Sequence, residues 1–383
     1  MDGEHRLSTT SGDQVPEVLL QQTSPYGTRR ASLLRGPSDT YLYLEDLTGT
    51  EPETRSAVWV SNHLPAPPGV QLAPAAGADG ADPGVNGAPP RMGALGTLFP
   101  DGCPPLGPGL ALVWFEEGDG VALVDESGVV AAIPGWAGED DFFGYARNAV
   151  GRSALAWAPT PPEFEALTAK ATESQDFWRW RTTEGWPQVR AAAQAHVTSR
   201  LGEASETFPV SGGDVPEVIA TRHLLDDDVR VTVTTGLSTQ RMAGVEQFVE
   251  DPDQCSRVEL AMARRGSDEG VADLLAGLAA IPFGRCTWLG DGHTIGGRPG
   301  SYPAFGSDGA AVLLTRHPPA AGCGSDRTGS APPDLGGLEV RGEPVTYLWV
   351  LVIDEPSFSI ARGRDASAAL DHLRSRGQGW IHP

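Results

Sequence analysis

Asp291-Gly292-His293 is where acid–base chemistry has its best footing in this sequence. An imidazole changes charge near neutrality, and a carboxylate beside it on a glycine-rich loop can orient it or share a metal with it. A working site would need a further carboxylate, and Glu259 and Glu343 are the candidates for an enzyme built on Asp291 and His293. Nothing supplies a nucleophile. Ser238 and Ser301 lack the Gly-x-Ser-x-Gly elbow, and no second histidine stands near His293 in the chain. Two other readings fit the same residues: a loop histidine bonded to backbone, and a polar contact on the rim of a seat for a partner. Backbone bonding is the commoner outcome for such a histidine.

The remaining chemistry-bearing residues are scattered. His5, His63, His196, His223, His317, His372 and His382 are dispersed, and His196 is expected to be a partly buried packing residue. Asp226-Asp227-Asp228 and the run Glu250-Asp251 with Asp253 are acidic, but neither follows the spaced ligand order of a calcium loop. Gly290–Gly300 lacks the Lys and Ser/Thr of a phosphate loop. Cys103, Cys255, Cys286 and Cys323 form no Cys-x-x-Cys pair, so no zinc pattern and no cofactor or metal is expected, only reduced thiols. Trp178, Trp180 and Trp186 read as packing residues.

Composition narrows the function classes. Fifty acidic against 28 basic residues give a net charge of −22, which repels phosphate backbones and argues against nucleic-acid binding. No apolar run approaches the ~20 residues that cross a bilayer, and Met1–Gln14 is polar, so no membrane segment and a cytoplasmic location are expected. The 48 Gly and 33 Pro imply long irregular connections.

These residues need a scaffold, and hydrophobic periodicity sketches one. Tyr41–Glu45 and Ala57–Ser61 are short strand candidates, while Leu64–Pro108 is a Pro/Gly-rich insertion with little apolar pattern, expected to be a long loop or partly disordered. Leu110–Glu116, Gly120–Asp125 and Gly128–Pro134 predict a β-meander, separated by turn residues at Gly118-Asp119 and Glu126-Ser127. Helices are predicted over Glu139–Val150, from Pro161-Pro162 with Phe164, Leu167 and Ala171 inward, and from Pro187 with Val189, Ala193, Val197 and Leu201 on one stripe. Val229–Met242 alternates as a half-buried strand that turns at Thr235-Gly236, and Arg257–Arg264 alternates as a second. Leu274, Leu275, Leu278 and Ile281 give a helical stripe closed by Pro282. Val345–Arg376 reads as a long strand, an acidic turn at Asp354-Glu355-Pro356 and a helix.

This ordered set resembles the suppressor-of-fused domain. The carrying residues are Thr234-Thr235-Gly236-Leu237-Ser238, Val258-Glu259-Leu260, the helix Ala272–Ala280, Gly292-His293-Thr294-Ile295, Ala311-Val312-Leu313-Leu314-Thr315 and Tyr347–Glu355. No single piece is specific; their order over roughly the last 200 residues makes the pattern. The resemblance implies an α+β fold of two domains, a mixed sheet with flanking helices in the second, and a non-catalytic role. Eukaryotic members clamp a short peptide of a transcription factor, and bacterial relatives look like immunity proteins encoded beside toxins. It also implies that Asp291, His293, Thr294, Glu259 and Ser238 serve partner binding, although the Asp and Gly of the loop stand in the opposite order to the family's.

The expectations are therefore these. Residues 1–183 form an amino-terminal α+β domain carrying the insertion 64–108, and residues 184–383 a suppressor-of-fused-like domain. The protein is expected to hold a polypeptide, a basic toxin being one candidate, in an interdomain groove or on an exposed sheet edge. The alternatives are a hydrolase-like enzyme on Asp291 and His293, and a scaffold for two partners.

Overall fold

A computed structural model describes residues 16–70, 90–211, 216–225, 228–296, 298–306, 308–320 and 331–383. Met1–Gln14, His5, Asp226, Asp227, Cys323 and positions 71–89 of the insertion lie outside the described residues. Contacts divide the chain into two units. The first comprises Met1–Ser24, Arg29–Phe115 and Asp119–Gln175; the second comprises Pro25–Thr28, Glu116–Gly118 and Asp176–Pro383.

In the first unit, β1 (Glu17–Thr23), β2 (Arg29–Arg35), β3 (Asp39–Asp46) and β4 (Glu53–Asn62) form an antiparallel sheet in chain order. A second antiparallel sheet follows the predicted meander: β5 (Ala111–Trp114), β6 (Val121–Asp125), β7 (Gly128–Ile133) and the short β8 (Tyr145–Ala146). The turn into β7 closes because Asp125 Oδ1 accepts the Ser127 N–H at 2.8 Å, a local bond that short acidic side chains make readily. Arg147 forks onto the same carboxylate at 2.8 Å, and that pairing pulls Asp125 down to about 2. Val113, Phe115, Ala122, Val129 and Ala132 bury against Ala171, Phe164 and Leu167 of α1 (Pro161–Trp180). The second predicted helix is thus present with its inward face as expected.

The helix predicted over Glu139–Val150 is not formed. Asp140 and Asp141 have φ of 49° and 58°, the left-handed region that a right-handed helix excludes. The segment instead coils around Phe142, whose ring stacks on Trp136 at 4.3 Å and meets Trp157 edge-on at 4.8 Å. Aromatic burial outweighs the weak helical bias of the acids. From the insertion, residues 90–108 form irregular backbone with a single 3-10 turn at Ala94–Gly96.

The second unit is built on an eight-stranded mixed sheet. A π-helical turn, Arg181–Gly185, links α1 to α2 (Trp186–Leu201), and the strands are β9 (Ala204–Ser211), β10 (Val218–Leu224), β11 (Val229–Thr235) and β12 (Val258–Arg265). After α3 (Val271–Gly284) come β13 (Thr294–Gly296), β14 (Gly309–Thr315), the small hairpin β15 (Glu339–Val340) and β16 (Glu343–Pro344), then β17 (Thr346–Asp354). Helices α4 (Glu355–Gly363) and α5 (Ala366–Ser375) and strand β18 (Ile381–His382) complete it. The sheet order is β13-β14-β17-β12-β11-β10-β9, with β18 also pairing β12.

Both faces of this sheet are covered, which explains why β12 and β17 are buried along most of their length. Val258, Leu260, Met262, Leu348 and Val350 pack under α3 through Leu275 and Leu278. Ala261, Ala263, Tyr347 and Trp349 face α2 through Val189, Ala193, Val197 and Leu201, the stripe read from the sequence. Leu313, Leu351 and Ile353 bury against Phe358 of α4 and Leu373 of α5. Two expectations are corrected. β12 is buried on both sides rather than alternating, and Pro282 lies inside α3, which ends at Gly284 with Arg285 N–H donating to Ile281 O at 3.1 Å. A proline near a helix end forfeits one ladder bond, and burial of Phe283 carries the last turn past it. The final helix is two helices, capped by Asp354 Oδ1 on Ser357 N–H (3.0 Å) and Asp365 Oδ1 on Ala368 N–H (2.7 Å).

Candidate functional site

Glu259 and Ser238 meet at the end of β11. Leaving that strand, the chain turns at Gly236 with φ of 128°, and a Cβ there would lie 2.3 Å from the Glu217 carbonyl oxygen, so only glycine fits. The turn's amide donors point at Glu259. Its Oε1 accepts the N–H of Gly236 (2.8 Å), the N–H of Ser238 (3.1 Å) and the Ser238 hydroxyl (2.6 Å), while Oε2 accepts the Thr234 hydroxyl (2.7 Å). Glu259 and Ser238 are completely buried. Burial pushes the Glu259 carboxyl above its ordinary range, and these donors oppose that rise.

Two residues earlier on the same face stands Arg257, also fully buried. Its Nη1 donates to the carbonyls of Ser238 (3.1 Å) and Thr239 (3.0 Å), Nη2 to Glu116 (2.7 Å) and Nε to Glu343 (3.1 Å). Arg241 forks onto Glu343 at 2.9 Å through Nε and Nη2, and its backbone N–H donates to Glu116 at 3.0 Å. Glu259 therefore holds the turn's N–H groups and Arg257 its carbonyls. The carboxyl of Glu116 is raised by burial, an effect that Arg257 counters. Arg257 and Glu259 are fully enclosed, while Arg241, Glu116 and Glu343 at the rim are partly exposed, so any part that Glu259 and Ser238 take in binding is positional.

Asp291, His293 and Thr294 form a separate, partly exposed cluster where the loop after α3 enters β13. Asp291 Oδ1 accepts the Arg316 N–H at 3.0 Å. His293 Nδ1 accepts the Gly290 N–H at 3.2 Å, and its ring meets Trp288 edge-on at 4.3 Å. Burial lowers the His293 pKa, which favours the neutral ring. Neither carboxylate weighed as a catalytic partner bonds to this imidazole: Glu259 faces the β11 turn, and Glu343 faces Arg241 and Arg257. No group of three or more His, Cys, Asp or Glu among the described residues could hold a metal ion.

β13 is the terminal strand of the sheet, and its register fixes which backbone groups face outward. Thr294 pairs with Leu313, Ile295 with Val312 and Gly296 with Ala311, and Leu314 N–H donates to His293 O at 2.9 Å. Alternation in an antiparallel ladder then turns the N–H and C=O of Thr294 and the N–H of Gly296 away from β14. Beside that edge runs a groove of about 1000 Å³, lined by Leu274, Leu278 and Ile281 of α3, by Ile295, and by Tyr302 and Phe305. Sequence reasoning missed Arg257, Arg241, Glu116, Phe248 and Trp288. Only the two-residue spacing of Arg257 and Glu259 on one strand face could have pointed to any of them.

The fold is a mixed sheet covered on both faces, ending in the short strand β13 on one side and in β9 on the other, with the groove beside β13. Residues 215–382 match the model of the suppressor of fused protein (SUFU) family. Among solved structures, a SUFU homolog from Neisseria gonorrhoeae aligns at 13% identity with a TM-score of 0.33, covering 51% of this chain and 93% of that one. A chain of the Sufu–Fu complex aligns at 14% identity with a TM-score of 0.34, covering 49% and 83%. No curated protein matches the chain. No helix among the described residues is long and apolar enough to cross a membrane.

Proposed function

We propose that this protein is a non-enzymatic binding protein that captures a partner polypeptide by strand addition to β13. The outward-facing N–H and C=O of Thr294 and N–H of Gly296, on the terminal strand and beside the α3 groove, carry the reading. Main-chain bonds to such an edge supply affinity, and alternate side chains of the added strand drop into the groove and supply selectivity. The suppressor of fused match over residues 215–382 supports a role in holding protein. Asp291 and His293 then shape the entry to the edge, and Glu259 and Ser238 stiffen the sheet behind it. A charge of −22 favours a basic partner, and an immunity or regulatory factor that sequesters a toxin is the form we favour.

Thr294→Pro tests the capture mode. It removes an N–H that points away from β14 and so leaves the β13–β14 ladder in place. With full-length protein as bait in an extract of the native host, the partner held by wild type is expected to be lost from this variant at an unchanged melting temperature. Equal recovery by both sinks strand addition. We also take residues 1–183 and 184–383 as the two domains. Removing 1–183 takes Glu116 from buried Arg257, so the remainder is expected to melt lower than the whole chain.

A further inference from the structure

Phe248 is a large apolar side chain left in water, 69% exposed. Its ring stacks on Trp288 at 6.1 Å with 17° between planes, and Trp288 meets His293, the residue that leads into β13. The three rings form an aromatic shelf at the head of the open edge. Elsewhere in this fold arginines cover such rings: Arg264 lies over Phe305 at 4.7 Å and Arg341 over Trp180 at 5.1 Å. Among the described residues no guanidinium or ammonium lies over Phe248 or Trp288, although Arg285 is close in sequence and Arg316 bonds Asp291 through its backbone. The chain around Phe248 carries Glu246, Glu250, Asp251 and Asp253 and no basic residue between Val245 and Cys255. Glu250 and Asp251 are exposed, and Asp291 is exposed beside His293.

We infer that this shelf is a subsite for an arginine side chain of the bound polypeptide, with the guanidinium laid on the Phe248–Trp288 pair. A ring face attracts a planar cation, and the surrounding carboxylates raise its local concentration without supplying a buried counter-charge. The neutral His293 ring adds no opposing charge. The inference rests on the strand-addition reading, whose β13 delivers the partner's chain to the shelf, and it names the partner's chemistry.

The test uses the full-length protein and two extended probes, an alternating valine–arginine heptapeptide and the same peptide with citrulline, which keeps the shape and loses the charge. Titration calorimetry is expected to show the arginine peptide binding about ten-fold more tightly. Phe248→Ala should bring the arginine peptide down to the citrulline value and leave the citrulline peptide unmoved, and Phe248→Tyr should restore the difference. Equal affinity for the two peptides, no binding of the arginine peptide, or indifference to Phe248→Ala overturns the subsite. Thr294→Pro reads the strand-addition claim separately: it should weaken both peptides by the same factor. If Thr294→Pro binds both as wild type does while the arginine preference persists, the shelf stands and strand addition fails.

Discussion

Arg257 donates to Glu116 at 2.7 Å across 141 positions of sequence, and both side chains belong to the second unit. The guanidinium is fully enclosed and is matched by Glu116, Glu343 and the carbonyls of Ser238 and Thr239, so none of its charge is left to water. Removing one member of such a set leaves the others buried without compensation. Arg257→Ala is expected to cost about 3–5 kcal/mol in urea unfolding. Adding Glu116→Gln and Glu343→Gln to it should recover part of that loss. A single-variant loss under about 1 kcal/mol, the size of an exposed pair, would contradict the clasp.

Two glycines should respond to alanine in opposite directions. Gly236→Ala forces a side chain into φ of 128° and against the Glu217 carbonyl, and should destabilise by several kcal/mol. Gly277, inside α3 with open space around its position, should tolerate the same change and gain about 0.5–1 kcal/mol from helix propensity. Thermal melts of the two variants distinguish the cases, and similar shifts for both would refute the turn geometry.

How much of this was legible beforehand follows the range of the interactions. The meander, the stripe of α2 and the existence of strands β11 and β12 were readable because their signals lie within one element: short apolar runs, a four-residue spacing, and the turn residues Gly118-Asp119 and Glu126-Ser127. The burial of β12 on both faces was not, because it depends on distant α2 and α3. The partner-binding residues fell into two clusters that no local pattern separates, since the enclosure of Glu259 depends on the chain returning through Gly236. Arg257 and Glu116 were invisible for the same reason. The mistaken helix at Glu139–Val150 shows the converse, a local charge pattern overruled by Phe142 packing between Trp136 and Trp157.

His382 sets a pH dependence. Its Nε2 accepts the Val352 N–H at 3.2 Å, and burial lowers its pKa to about 4, against about 6.5 in an unfolded chain. Between those values the unfolded state binds the extra proton, so stability is complete above about pH 6.5 and falls as the pH drops toward 4. Unfolding free energies measured from pH 7 to 4 should show this loss, on the order of 3 kcal/mol for this one group. His382→Gln should remove that part of the slope. An unchanged slope would show that the ring is not held neutral. His63, His223 and His293, also lowered by burial, act in the same direction.

The open edge can be read amide by amide. Hydrogen exchange on the free protein should find the N–H groups of Thr294 and Gly296 fast and that of Ile295 slow, as the pairing with Val312 requires. Once a partner polypeptide is bound, Thr294 and Gly296 should become as protected as Ile295. Slow exchange at Thr294 and Gly296 in the free protein, or no added protection in the complex, would contradict capture by strand addition at β13.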